Sequence, residues 1–327
     1  MVWFTSRGSK MTENNPNWER DLITKIAADA LVEQRRRRRW GIFFKLLTFA
    51  YITVVLLLMV DWSSRGDFTG GKKYTAVVEL NGIIAPGTDA SAENVILGLQ
   101  AAFKEKSTQG VILRINSPGG SPVQAQTIYD EMRRLRKKYP DIPLYAVVED
   151  ICASGGYFVA AAADRIYVGK ASIVGSIGVL MNGFGFTGLM DKLGVERRLI
   201  TAGENKGMLD PFSPLREKDK DYINVLMKDI HQQFISAVRE GRGKRLKETP
   251  DMFSGLIWTG EKSVELGLAD GYGSLDSVAR DVIKAEDVVD YTKKEGFAEK
   301  VARRFGAAAA SSLAEFALRN YFTSPLR

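Results

Sequence analysis

From Tyr74 to Met181 the sequence alternates short β-branched runs with stretches of helical period, and glycine recurs where one gives way to the other. "YTAVVELNGII" alternates and carries an Asn-Gly turn, while "GVILRINS", "LYAVVED" and "RIYV" are compact apolar runs of the kind that form strands. Between them, residues 92–105 and "VQAQTIYDEMRRLRKKY" space their apolar side chains as helices do. A further strand is expected near "SIGVLM". Parallel neighbours need a crossover, and a helix is the usual one, so this order predicts an α/β fold with a largely parallel sheet covered on both faces. After Pro214 the pattern turns helical in "REKDKDYINVLMKDIHQQFISAVREGRG", with shorter helices expected over 261–267 and 274–284.

Upstream stands "GIFFKLLTFAYITVVLLLMV", residues 41–60, with Lys45 as its one charge. A helix of that length extends about 30 Å, the thickness of a hydrocarbon core. Trp40 and Trp62 bracket it, and five arginines, Arg35 to Arg39, abut its N-terminal end. The positive-inside rule then puts residues 1–40 in the cytoplasm and the rest of the chain outside. The following "DWSSRG" has no small-x-small cleavage pattern, which favours an uncleaved anchor over a signal peptide. The expected organisation is an arm over 1–40, the anchor over 41–60, a tether over 61–73, a folded domain over 74–296 and a tail over 297–327.

Composition narrows the function. The net charge is +7, but residues 1–60 alone hold ten Lys or Arg against five Asp or Glu, leaving only +2 for the remainder. A nucleic-acid-binding domain keeps its charge on the folded body, so no nucleic-acid partner is expected. The single cysteine, Cys152, forbids an intramolecular disulfide, and the single histidine, His231, removes every multi-histidine metal site. No cofactor is expected.

Two glycine-bearing motifs follow predicted strands, where open α/β sheets form their ligand crevices. In "NSPGGS", residues 116–121, Gly119 and Gly120 could aim amide hydrogens into a cleft as an oxyanion hole does; a tight strand-to-helix turn is the other reading. In "DICASGGYFVAAAA", Ser154 stands between a strand and an alanine-rich helix, either as an exposed nucleophile with the Gly155 amide beside it or as a helix cap. A nucleophilic serine needs a base. His231 lies mid-pattern on a distant helix, which leaves lysines. The ordinary lysine value of about 10.4 makes a poor base, and burial in an apolar cleft lowers it. Lys170 in "YVGKAS" reads as a strand-end surface lysine, and Cys152 as a small buried residue.

Together "NSPGG", "ASGGY", "GSIGV" and "GENKGMLDPF" resemble the short, single-repeat form of the signal peptide peptidase A family, membrane-anchored serine peptidases, over residues 74–290. The resemblance implies a crotonase/Clp protease-like fold behind a single N-terminal transmembrane helix, in a bacterial inner membrane with the catalytic domain on the extracytoplasmic side. It places the nucleophile at Ser154 and the general base at Lys206, 52 residues downstream. It also places the oxyanion hole at Gly120, with Gly155 joining it, and the serine that orients the lysine at Ser176. It further implies a homo-oligomeric ring in which the serine and lysine of one site come from neighbouring subunits, and substrates that are remnant signal peptides and other unfolded apolar peptides. Two other readings share the fold: an acyl-CoA hydratase or thioesterase, and a non-catalytic membrane scaffold.

Overall fold

A computed structural model describes residues 18–59 and 72–293 of the 327-residue chain. The chain divides into two units, residues 66–295 forming the larger. In the smaller, α1 (Trp18–Met59) is one uninterrupted helix through the arginine run and into the apolar run. No proline lies in it and only one glycine, Gly41, so nothing local breaks it. Among the described residues no helix is long and apolar enough to cross a membrane. The side chains of residues 55–59 and the whole of residue 60 lie outside the described set, as do most of the expected tether and the tail over 297–327.

The larger unit follows the alternating order of the sequence. β1 (Tyr74–Asn81), α2 (Ala92–Lys104), β2 (Thr108–Ser117), α3 (Pro122–Lys138) and β3 (Leu144–Ala153) come first. Next are α4 (Gly155–Ala160), β4 (Arg165–Val168), β5 (Ile173–Gly175), α5 (Thr187–Leu193) and α6 (Glu217–Arg242). The unit closes with β6 (Ile257–Thr259), α7 (Gly260–Glu265), β7 (Gly271–Tyr272), α8 (Leu275–Ser277) running into a π turn, and β8 (Val288–Asp290). The eight strands run in the order β6-β5-β3-β2-β1-β8, with β4 also paired to β3 and β7 to β4. Every pairing is parallel except β5 with β6.

Both faces are covered, which is why the strands read as unbroken apolar runs. Ala76, Val78, Val111, Leu113, Ala146 and Val148 face the main core with α2, α3, α4 and α6. The alternate residues Val77, Ile112, Val147 and Tyr167 meet Val278 and Ala279 of the π turn in a smaller cluster. Ser91 and Ser121 cap α2 and α3, each accepting a backbone N–H three residues on, and Pro122 opens α3, as Ser and Pro do at helix starts.

Two features aim the sheet at one point. β3 changes partner along its length: Tyr145–Val147 pair with β4, and Ile151–Ala153 pair with β5. Its register with β2 also shifts between Ile115 and Ser117. The carboxyl ends of β2, β3 and β5 therefore converge where the sheet forks, the place at which such sheets hold a ligand. The strand expected over 176–181 does not form. β5 stops at Gly175 because Ser176 takes φ 53°, which leaves the extended region and turns the chain.

Behind α4 lies a buried ionic network. The Arg242 side chain, fully buried at the end of α6, donates to Asp270 at 2.8 Å and to the Gly267 carbonyl at 2.9 Å. Asp270 also accepts the Ile166 N–H at 2.7 Å, and Tyr157 of α4 donates to the Leu268 carbonyl at 2.8 Å. Burial alone would raise the Asp270 carboxyl, but the hydrogen bond and charge of Arg242 outweigh it and hold it below its ordinary 3.8. A depressed carboxyl stabilises the fold fully above the unfolded-state value and loses that contribution as pH falls through the folded one. Asp270→Asn leaves Arg242 buried without a counter-charge, so urea unfolding at neutral pH should show a loss of about 3 kcal/mol. The gap between wild type and variant should narrow as the pH falls below 3.8. A variant as stable as wild type at pH 7 would show the ion pair to be dispensable.

Candidate active site

β3 ends at Ala153 and the next residue turns the chain straight into α4. Ser154 makes that turn with φ 52° and ψ −124°, a conformation that costs a non-glycine residue about 1–3 kcal/mol unless its surroundings enforce it. They do. Its N–H donates to the Gly175 carbonyl at 2.9 Å, and its carbonyl accepts the Phe158 N–H at 3.0 Å. Ser154 stands at the N-cap position of α4, yet its hydroxyl makes no capping hydrogen bond. The capping alternative is thereby set aside: the half-buried hydroxyl is left for another partner.

The turn after β2 presses against it. The Ser117 hydroxyl donates to the Gly82 carbonyl at 2.6 Å and accepts the Gly119 N–H at 3.1 Å, which shapes the turn around Pro118. Gly119 has φ +100°, and a Cβ there would lie 2.6 Å from the Gly155 nitrogen and 2.8 Å from the Ser154 Cβ. Gly120 has φ +151°, and a Cβ there would lie 2.1 Å from the Ile84 carbonyl oxygen. That segment is locked alongside, since Ile84 donates to the Gly119 carbonyl at 2.9 Å and its own carbonyl accepts Ser121 N–H at 2.8 Å. The amides of Gly120 and Gly155 remain unspent among the described residues. They are neighbours, because a Cβ on Gly155 would stand 3.3 Å from the Gly120 nitrogen. Two neighbouring, unspent N–H donors beside a hydroxyl are the equipment of acyl transfer.

Ser176 emerges next to Ser154, since Ala153 and Gly175 are register partners on parallel strands. It too has positive φ, and its N–H donates to the Leu256 carbonyl at 2.7 Å. Lys206 is not bonded to this group. It lies in an exposed turn, its N–H donating to the Gly203 carbonyl at 3.1 Å. Among the described residues its amine makes no hydrogen bond or ion pair with Ser154, Ser176 or any other group. The chain thus brings Ser154, Ser176, Gly120 and Gly155 together, while Lys206 lies in an exposed turn with no bond to any of them. No residue from 178 to 218 is buried, although this stretch holds Leu180, Phe184, Leu193 and Ile200, the last 95% exposed.

The lesser candidates resolve simply. Lys170 faces solvent, 3.7 Å from Glu261. Cys152 is fully buried, and burial pushes its thiol far above the ordinary value. On the basic face of α3, Arg133 pairs with Glu240 and Arg136 with Asp164. The left-handed backbone at Ser154 and Ser176 has no sequence signal, because φ there is imposed by tertiary hydrogen bonds. Neither does the contact of His231 with the Ser176 turn, which joins segments 54 residues apart.

A strained serine between strand and helix, flanked by two unspent amides on an α/β fold, is an arrangement suited to serine hydrolase chemistry. The Clp protease family model matches residues 75–174 and the Peptidase family S49 model matches residues 136–289. A protein of Methanocaldococcus jannaschii described as a candidate protease is 31% identical over 268 residues, 78% of this chain and 85% of its own length. A candidate signal peptide peptidase SppA of Enterococcus faecium is 30% identical over 231 residues, 68% of this chain and 64% of its own. A protein of Brucella abortus named as the Na(+)/H(+) antiporter NhaA is 44% identical over 209 residues, 62% of this chain but 28% of its own length. The chain belongs to peptidase family S49, a family of serine proteases, and its fold is of the Clp protease and crotonase-like type.

Proposed function

We propose that the protein is a membrane-anchored serine endopeptidase with a Ser-Lys dyad, which degrades remnant signal peptides and other unfolded apolar peptides on the extracytoplasmic side. The observation that carries the reading is the uncommitted Ser154 hydroxyl beside the unspent amides of Gly120 and Gly155. In the first step a neutral Lys206 amine takes the hydroxyl proton as Ser154 Oγ attacks the scissile carbonyl, and Ser176 orients that amine. The amides of Gly120 and Gly155 hold the oxyanion. Collapse breaks the C–N bond, Lys206 returns the proton to the leaving amine, and water then hydrolyses the acyl-enzyme by the same path.

Neutral lysine requires a dry site, and in one protomer Lys206 is exposed. The reading therefore includes assembly with further copies of this chain. The apolar side chains left uncovered over 178–218 support that partner, since a patch of this kind ordinarily meets another protein. A head-to-tail ring uses different surfaces on its two sides, which lets one subunit's lysine loop cover the next subunit's serine. The anchor reading rests on the apolar run over 41–60 and the adjoining arginines. Cation antiport, the activity named for the Brucella protein, is not proposed, because the likeness covers 28% of that protein.

Topology and substrate class are tested together. The full chain, purified in detergent, should hydrolyse an unfolded apolar peptide and spare a folded protein. In spheroplasts of an expressing bacterium, added protease should digest the region beyond residue 61 and leave the N-terminal arm intact. A protected domain with a digested arm would reverse the orientation and remove signal-peptide remnants on the outer side as substrates.

A further inference from the structure

His231 is the one histidine of the chain and has no place in the mechanism above. It lies half-buried on α6, with Nε2 3.1 Å from the Ile177 carbonyl oxygen. A carbonyl oxygen only accepts, so Nε2 carries the hydrogen and His231 is the donor. That nitrogen is thereby occupied, which argues against His231 as the base for Ser154. The bond instead reaches the residue that follows Ser176.

The turn at the end of β5 is held at three successive residues. The Gly175 carbonyl accepts the Ser154 N–H at 2.9 Å, the Ser176 N–H donates to the Leu256 carbonyl at 2.7 Å, and the Ile177 carbonyl accepts from His231 at 3.1 Å. The first two are backbone bonds that any sequence could form; the third depends on one side chain. Ser176 sits at φ 53°, a conformation that persists only where neighbouring contacts over-determine it. The Ile177 side chain is fully buried, so one side of the turn is fixed by packing and the carbonyl side by His231.

We propose that His231 is a positioning residue: by donating to the Ile177 carbonyl it sets the Ser176 turn, and so the direction in which the Ser176 hydroxyl meets the catalytic amine. This rests on the reading of Ser176 as the serine that orients Lys206. A misplacement of about 1 Å can cost as much as 10²-fold in rate, and loss of one of three anchors should cost about 10-fold.

The test compares peptide hydrolysis by the full chain in detergent. His231→Ala should lower kcat about 10-fold with KM within about 2-fold, the signature of an interaction made in the transition state. His231→Phe fills the space without a donor and should match it. His231→Gln keeps a side-chain N–H and should recover most of the rate. In a Ser176→Ala background the same His231→Ala change should cost less than about 2-fold, because coupled residues are not additive. Equal kcat in wild type and His231→Phe overturns the proposal, as does a Gln variant no better than Phe, or full additivity with Ser176→Ala. Should the Ala variant fail to fold, the Phe and Gln variants decide. Wild-type rates in Ser154→Ala would instead sink the parent mechanism, and this proposal with it. An inactive Ser154→Ala beside a fully active His231→Phe would sink only the positioning role.

Discussion

Ser154→Ala and Lys206→Ala should each lower peptide hydrolysis by at least about 10⁴-fold, and co-assembly of the two inactive chains should restore part of it. On the proposed mechanism the losses follow from the division of labour: alanine leaves either no nucleophile or no acceptor for its proton. Recovery follows from the placement of Lys206 on an exposed loop that makes no bond to its own Ser154. If each site takes its serine from one subunit and its lysine from the next, one site in four of a random equal mixture is intact, so activity should return to about a quarter of wild type. A lysine acting within its own chain gives no recovery, because no single chain in the mixture carries both groups. Coexpression of two differently tagged chains, purified through both tags and assayed on an apolar peptide, distinguishes these results. Silence in a doubly purified assembly would end the shared-site reading, and a Ser154→Ala chain with wild-type rates would end the peptidase mechanism itself.

The second large effect belongs to a residue with no side chain. Gly120→Ala should lower kcat by about 10²–10³-fold and leave KM within a few-fold, the range seen when one oxyanion donor is lost. Gly120 holds φ +151°, and the added carbon would meet the Ile84 carbonyl oxygen at 2.1 Å. That oxygen has little room to retreat, because it accepts the Ser121 N–H at 2.8 Å just where α3 is capped. The Gly120 segment must therefore swing, and its amide is displaced from its place beside the Gly155 amide. Steady-state kinetics on one peptide, with a thermal melt to confirm folding, checks this. A variant that keeps wild-type kcat would show that the Gly120 amide does not hold the oxyanion.

The residues of this arrangement stand out in the sequence for a local reason. Ser154 in "ASGGY" and Gly120 in "NSPGGS" follow apolar runs that declare themselves as strands, and strand ends are where such sheets place chemistry. The helix starts at Ser91 and Ser121 announce themselves in the same way. The strand expected over "SIGVLM" shows where this logic stops. Its apolar residues suit an extended run, yet Ser176 is turned to φ 53° by a bond to Leu256, 80 residues away in the chain.

The two levels of determination divide by the range of the forces involved. Sequence alone determined what depends on near neighbours: alternation of strand and helix, the glycines that allow close backbone approach, an apolar run beside arginines, and the residue types able to do acyl transfer. Tertiary structure decided that the Ser154 hydroxyl is not spent on capping, that the Gly120 and Gly155 amides stand together, that Lys206 is exposed and makes no bond to Ser154 of its own chain, and that His231 reaches the Ser176 turn. Each of these depends on hydrogen bonds and steric contacts between segments far apart in the chain, which no short window of residues can encode.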